Sequence, residues 1–433
     1  MAKRKTVTNI LVALAIFITC FIFFIFGKPH RAIVAMVGAV AMMIAGMSLG
    51  FYTQEEALKA IDFNTIGLLA GMMVTVGVLR GTGFFRYLAI KGVKLAKGDP
   101  WKLLLSLGLL TAGISMLIDN VTTILLVAPV TMLISDILGI NPVPILLSEV
   151  LLSNIGGVGT LVGDPPNIII GSAAGFSFNS FVVHLMPVVL LVMGISLLLL
   201  RFIHRKTLAD RPKNIEQVVQ MRAEGAVTDK KTLAKCLLAL GVVVVLFILE
   251  TRLNLKTAFI AFLGAAFTLA MVRPDLKETF NQVEWPVLVF FVGLFIIVGG
   301  LDKTGVLRML GHQLALLSYN PVLITLVIIW VSAIFCSFVN NIAYTVAMVP
   351  VMRHIAATGM NPNPLWWALA LGAGFGGNGT PIGSAAGLVM MTLSEKTARP
   401  ITFGNWLKSG ITVTLVAGGV ASLIMVVFFG WFQ

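Results

Sequence analysis

The chain has 433 residues, 58% of them hydrophobic and only 11% charged, with a mean hydropathy of +0.99 and a net charge of +13. Those values lie far outside soluble norms, and in an apolar chain lysine and arginine report membrane orientation rather than a nucleic-acid partner. Cys20, Cys236 and Cys336 fall in separate apolar segments without CxxC spacing, so neither a disulfide framework nor a zinc site is suggested.

Residues 10–26, 32–47 and 66–79 are the first apolar runs. They match the ~30 Å of hydrocarbon that a spanning helix must cross. The first lacks the small-residue cleavage site of a signal peptide and reads as a retained span. Residues 84–97 carry Arg86, Lys91, Lys94 and Lys97 on one face, the pattern of a helix lying in a membrane interface. The next run, 103–117, is too short to cross comfortably and ends at Asp119-Asn120. An equally short run, 124–137, follows and contains Pro129. Two short legs around a polar tip predict a re-entrant hairpin near 103–137.

A helix broken in its middle is predicted near 143–175, through Gly156, Gly157, Gly159 and Gly163 to Asp164-Pro165-Pro166-Asn167. The glycines permit positive φ and close backbone approach. The prolines suit the first turn of a new half-helix, with Asp164 at its N-cap. A span over 182–202 closes the first half, and the polar stretch 205–232 reads as an aqueous linker. The second half repeats the plan, with spans at 237–249, 258–272 and 287–301 and an interfacial helix over 306–318 bearing only Arg308 and His312. A hairpin near 321–355 follows, around Asn340-Asn341 with Pro350 in its return leg. A broken helix near 363–395, where Ser384 stands in place of Asp164, leads to a last span at 411–429.

The halves echo each other at almost one offset. Asn120 and Asn341 stand 221 residues apart, Thr160 and Thr380 stand 220 apart, and Thr82-Gly83 and Thr304-Gly305 stand 222 apart. Two repeats, 1–204 and 233–433, are therefore predicted, separated by a cytoplasmic linker over 205–232. Five crossings in each repeat put the two in opposite orientation. With the amino terminus outside, more than two thirds of the lysines and arginines fall on the cytoplasmic side, as the positive-inside rule requires. Lys3-Arg4-Lys5 run against it. The expected fold class is an all-α polytopic membrane protein, multi-pass in the cell inner membrane, built from two inverted repeats.

Polar, glycine-rich interruptions at matching places in inverted halves mark the substrate site of secondary transporters. The candidate substrate ligands are Asn120, Thr122, Asn340 and Asn341 at the hairpin tips. Asn154, Gly157, Thr160 and Asn167 join them at the first break, and Gly377, Asn378 and Thr380 at the second. Asp119, Glu149 and Asp164 lie at apparent membrane depth. An ionised acid there costs about 2.5–3.5 kcal/mol on insertion scales, so all three are candidate proton-coupling groups, with Asp119, the acid at a hairpin tip, as the expected proton carrier and Glu149 and Asp164 as the next candidates. The five histidines form no metal spacing and no phosphate-binding loop motif is present. No catalytic residue, cofactor or metal is implied, and the chain does not read as an enzyme.

Asp119-Asn120-Val121-Thr122-Thr123 and Ser153-Asn154-Ile155-Gly156-Gly157 through Gly163-Asp164-Pro165-Pro166-Asn167 resemble the signatures of the arsenite-permease (ArsB) and melanocyte P-protein group. That group belongs to the ion-transporter superfamily, with the divalent anion–sodium symporters and the NhaD-type antiporters. The resemblance covers nearly the whole chain and implies an elevator-type fold, in which a transport domain carrying both hairpins sits in a scaffold domain. In the symporters each tip bears Ser-Asn-Thr, which binds sodium and the substrate carboxylate. Here the tips read Asp119-Asn120-Val121 and Asn340-Asn341-Ile342, so only the central asparagine is kept. A titratable acid in place of a hydroxyl fits a proton-coupled carrier of a neutral or cationic species better than a dicarboxylate carrier. The leading expectation is proton-coupled efflux of arsenite or antimonite, with a small-anion permease (citrate or chloride) and a sodium–proton antiporter as alternatives. The expected partners are a small inorganic or organic solute, H+ or Na+ as coupling ion, and the lipid bilayer. A homodimer and an ATPase subunit on another chain stay open.

Overall fold

The computed structural model describes residues 2–27, 29–210, 212–220, 223–315, 320–357 and 359–433. Among them, helices are the regular elements and there is no strand. Among the described residues nine helices are long and apolar enough to cross a membrane, but two of these, Asn120–Leu138 and Pro321–Phe338, are hairpin legs. The crossings are completed by Thr257–Val272 and by two helices interrupted in mid-course, Val143–Gly157 with Pro165–Ala174 and Asn363–Gly376 with Ala385–Ser394. On Arg31–Leu49 the residues Ile33, Val37, Val40 and Ile44 make one exposed apolar stripe, the surface a spanning helix offers to lipid.

Matching caps begin matching elements in the two repeats. The first hairpin leg, Pro100–Ser115, starts behind Asp99, which accepts the Lys102 N–H at 2.9 Å. Pro321–Phe338 starts behind Asn320, which accepts the Leu323 N–H at 3.0 Å. In both, proline takes a first-turn position whose N–H would go unpaired. The return legs, Asn120–Leu138 and Asn341–Ala356, are capped by Asp119 (Thr122 N–H, 2.9 Å) and Asn340 (Ile342 N–H, 3.0 Å). Two short helices were not anticipated from sequence: Gln54–Ala60, opened by a Thr53–Glu56 capping box, and Leu276–Asn281, opened by Asp275. They stand 222 residues apart and extend the repeat.

Phe63–Gly81 packs on Thr257–Val272, and Arg31–Leu49 packs on Trp285–Lys303. Each pair brings backbones together at glycine. A Cβ on Gly71 would stand 2.6 Å from the Ala261 carbonyl carbon, and one on Gly293 would stand 2.7 Å from that of Ala35. These four helices form the scaffold. The hairpins pack on the broken helices, Pro100–Ser115 on Val143–Gly157 and Pro321–Phe338 on Asn363–Gly376, while Phe178–Ile203 and Phe403–Val427 flank them as the transport domain.

The hairpins open on opposite faces. The base of the first meets the linker, where Leu138 O accepts the Lys213 N–H at 2.8 Å and Ile137 O accepts Asn214 Nδ2 at 3.1 Å. The base of the second lies at the other end of the scaffold, where His354 meets Asp302 at 3.0 Å. The linker is more ordered than its composition suggested. It contains the helix Ile215–Gln220 and ties Thr228 to Thr82, N–H to O, at 3.1 Å. Of the interfacial helices, one spans Phe84–Ala96 and the other Val306–Ala315, and residues 316–318 of the expected second helix lie outside the described residues.

Candidate functional site

Both hairpin tips end on one carboxylate. Asn120 Nδ2 lies 3.5 Å from Asp164 Oδ1, and Asn341 Nδ2, from the opposite hairpin, lies 3.3 Å from Asp164 Oδ2. Asn120 also donates to Asn154 Oδ1 at 2.9 Å. Asn154 Nδ2 in turn donates to Asn378 Oδ1 at 2.8 Å and to Ser384 Oγ at 3.0 Å. The six side chains come from two tips and two helix breaks and are all buried. Among the described residues no lysine or arginine bonds to Asp164, so two long amide hydrogen bonds face a group that, if ionised, carries a full charge. Such a carboxyl can take a proton or a small cation.

The breaks repeat one construction. Thr160 Oγ1 donates to Met116 O, and Thr380 Oγ1 donates to Ser337 O, so each break is tied to the tip of its own hairpin. A Cβ on Gly163 would stand 2.6 Å from Ser115 O, and one on Gly383 would stand 2.6 Å from Cys336 O. Gly156, Gly157, Gly159 and Gly163 all keep ordinary negative φ. Of the two roles expected of these glycines, positive φ is not used and close backbone approach is, which is what a compact break against a hairpin tip demands.

Several candidates sit differently from the simplest reading. Asp164 holds the N-cap position of Pro165–Ala174 but makes no side-chain cap, because its oxygens turn to the two asparagines. Its counterpart Ser384 does cap, accepting the Gly387 N–H at 3.0 Å. Asn167 does not reach into a cavity. Its amide nitrogen donates to the carbonyls of Gly157, Val158 and Thr160 at 3.2, 3.0 and 2.8 Å and stitches the break. Asn340 is occupied as a cap, and Gly377 lies behind Asn341, where a Cβ would be 3.6 Å from Nδ2. Glu149 is fully buried away from the cluster and accepts a hydrogen bond from Thr131.

Asp119 and Thr122 face the scaffold, lining a cavity of about 30 Å³ with Arg80, Gln282 and Glu284. On the other face a chamber of about 610 Å³ reaches from Lys59, Lys256 and Arg353 down to Ile169, Ser172 and Val346. The two cavities flank Pro165–Ala174 at opposite ends, one wide and one narrow. Sequence reasoning missed the scaffold side of both. A signal was present, since Asp62 and Glu284, which stand before Phe63–Gly81 and Trp285–Lys303, are also 222 residues apart.

Comparison with known proteins gives the family and the fold. The CitMHS family, described as citrate transporter, matches residues 21–372. An uncharacterized transporter of Mycobacterium bovis is 39% identical over 424 residues, covering 96% of this chain and 97% of that protein. The P protein of Homo sapiens is 30% identical over 509 aligned positions, which take in 98% of this chain and 61% of that longer protein. In fold, the crystal structure of the Alcanivorax borkumensis YdaH transporter, reported to have an unusual topology, superimposes with a TM-score of 0.65 at 14% identity, over 93% of this chain and 99% of that one. With its inverted, twice-broken helical plan, the chain is a multi-pass membrane transporter and belongs to the CitMHS family of the ion-transporter superfamily.

Proposed function

We propose that this transporter is a proton-coupled secondary carrier that exports a small neutral polyhydroxy acid of the arsenite or antimonite kind, with Asp164 as the group that takes the coupling proton. The observation that carries the reading is the single carboxylate shared by Asn120 and Asn341, with no basic residue bonded to it. Binding a proton there removes the only formal charge in the cluster. What remains is amides, hydroxyls and backbone groups, which donate and accept at once and suit the hydroxyls of a neutral trihydroxy acid. Among the described residues no lysine or arginine bonds within the cluster to compensate a tricarboxylate.

A small-anion permease is the second reading. The family description favours it, and so do Lys256 and Arg353, which line the wide chamber with no ion pair among the described residues. Uptake into everted membrane vesicles separates the readings. Arsenite, antimonite, citrate, chloride and sodium would each be offered with and without an imposed pH gradient. Proton-driven accumulation of arsenite or antimonite supports the first reading, whereas accumulation of citrate or chloride alone replaces it with the second. Sodium–proton exchange without either solute would make the chain an antiporter.

A further inference from the structure

Glu149 is buried at 0% exposure in the middle of Val143–Gly157, and only one of its oxygens is used. Oε1 accepts the hydroxyl of Thr131, while Oε2 has no partner. Ser135, one turn beyond Thr131 on the same face of Asn120–Leu138, is also buried with an unpartnered hydroxyl. Among the charged and titratable groups on the helices packed against Val143–Gly157, Lys102, Asp136, Arg201 and Lys408 are exposed, and His184 is stacked on Trp367. None of them neutralises Glu149. A carboxylate here would hold its charge on one hydroxyl hydrogen bond, which is far too little in an apolar interior.

The second repeat shows that the fold does not need these polar groups. At the measured offsets Glu149, Thr131 and Ser135 correspond to Leu369, Met352 and Ala356, three apolar residues at the matching places of the matching helices. The trio is therefore an addition to the first repeat alone. It is also directional. Asn120–Leu138 runs from the central cluster to the linker, so Thr131 and then Ser135 lead from Glu149 toward the linker face. Asn154 of the cluster lies five residues along the helix from Glu149, about 7.5 Å at the helical rise.

We propose that Glu149, Thr131 and Ser135 form a second proton-binding site inside the transport domain, loaded from the linker face and separate from Asp164. The proposal rests on the proton-coupled reading above and adds one proton to each cycle. When loaded, the proton sits on the Glu149 carboxyl. On unloading it passes to water at the linker face, and the transient carboxylate left behind keeps the Thr131 hydroxyl as its donor.

The test uses the full chain in proteoliposomes, comparing the parent with Glu149→Gln, Glu149→Leu and Asp164→Asn. The leucine variant reproduces the residue found at the equivalent place in the other repeat, which guards against misfolding as the cause of any loss. At a fixed pH gradient, both Glu149 variants should sustain a smaller substrate gradient, corresponding to one proton fewer per substrate, while substrate exchange without a gradient stays at the parent level. Infrared difference spectra across a pH step should lose one protonated-carboxyl carbonyl band in Glu149→Gln and keep that band in Asp164→Asn. An unchanged coupling ratio together with an unchanged band in the Glu149 variants would overturn the second site. If the parent ignores the pH gradient altogether, the proposed function fails, and the infrared arm alone decides whether Glu149 binds a proton.

Discussion

At the residue scale, the two asparagines are asked to do the same work from opposite hairpins. Each presents one amide hydrogen to Asp164, at 3.5 and 3.3 Å. Replacing either by leucine leaves a buried carboxyl oxygen with no donor, a loss of about 1.5–3 kcal/mol for a charged acceptor. Transport by Asn120→Leu and by Asn341→Leu should fall at least about tenfold, at 1.4 kcal/mol per decade, while both proteins still reach the membrane, as quantified by surface labelling and flux. Parent-level flux in both would remove the cluster from the mechanism. Asp119 should behave otherwise. Its carboxylate caps a helix and faces the scaffold, and asparagine caps about as well as aspartate, so Asp119→Asn should keep proton-driven accumulation within about twofold of the parent. Collapse of coupling in that variant would return the proton to the hairpin tip.

At the element scale, the hairpins and breaks were legible in the sequence because glycine, asparagine and proline stand out in apolar runs and recur at one offset. Their ends fall within a few residues of the positions read from sequence, and Asp99-Pro100 and Asn320-Pro321 show why. The short helices Gln54–Ala60 and Leu276–Asn281 were not legible, since six or seven residues in a charged loop carry too little periodicity. Nor could the sequence show that Asp164 faces Asn341, 177 residues away, because that depends on how the inverted half closes. The breaks depend on close backbone approach, so Gly163→Ala and Gly383→Ala should each lower thermal stability by about 1–3 kcal/mol through overpacking. Gly194→Ala, where a Cβ meets nothing within 4 Å, is the control. Equal melting of all three in detergent would show that the breaks tolerate side chains.

At the scale of the whole molecule, inverted repeats make two equivalent clefts, yet one holds about 610 Å³ and the other about 30 Å³. The central cluster lies between a wide approach from the face opposite the linker and a narrow one from the linker face. In a cysteine-free background, Val349→Cys in the wide chamber should react with an impermeant thiol reagent from the side opposite the linker, and Met73→Cys in the narrow cavity should stay protected until substrate drives the exchange. Constant labelling of both, with or without substrate, would contradict alternating access. The most direct test of the central claim is proton movement itself, followed with a pH-sensitive dye inside proteoliposomes while arsenite flows down its gradient. The account predicts that the parent moves protons opposite to arsenite and that Asp164→Asn carries arsenite downhill without them. Equal proton movement in the parent and in Asp164→Asn would contradict it.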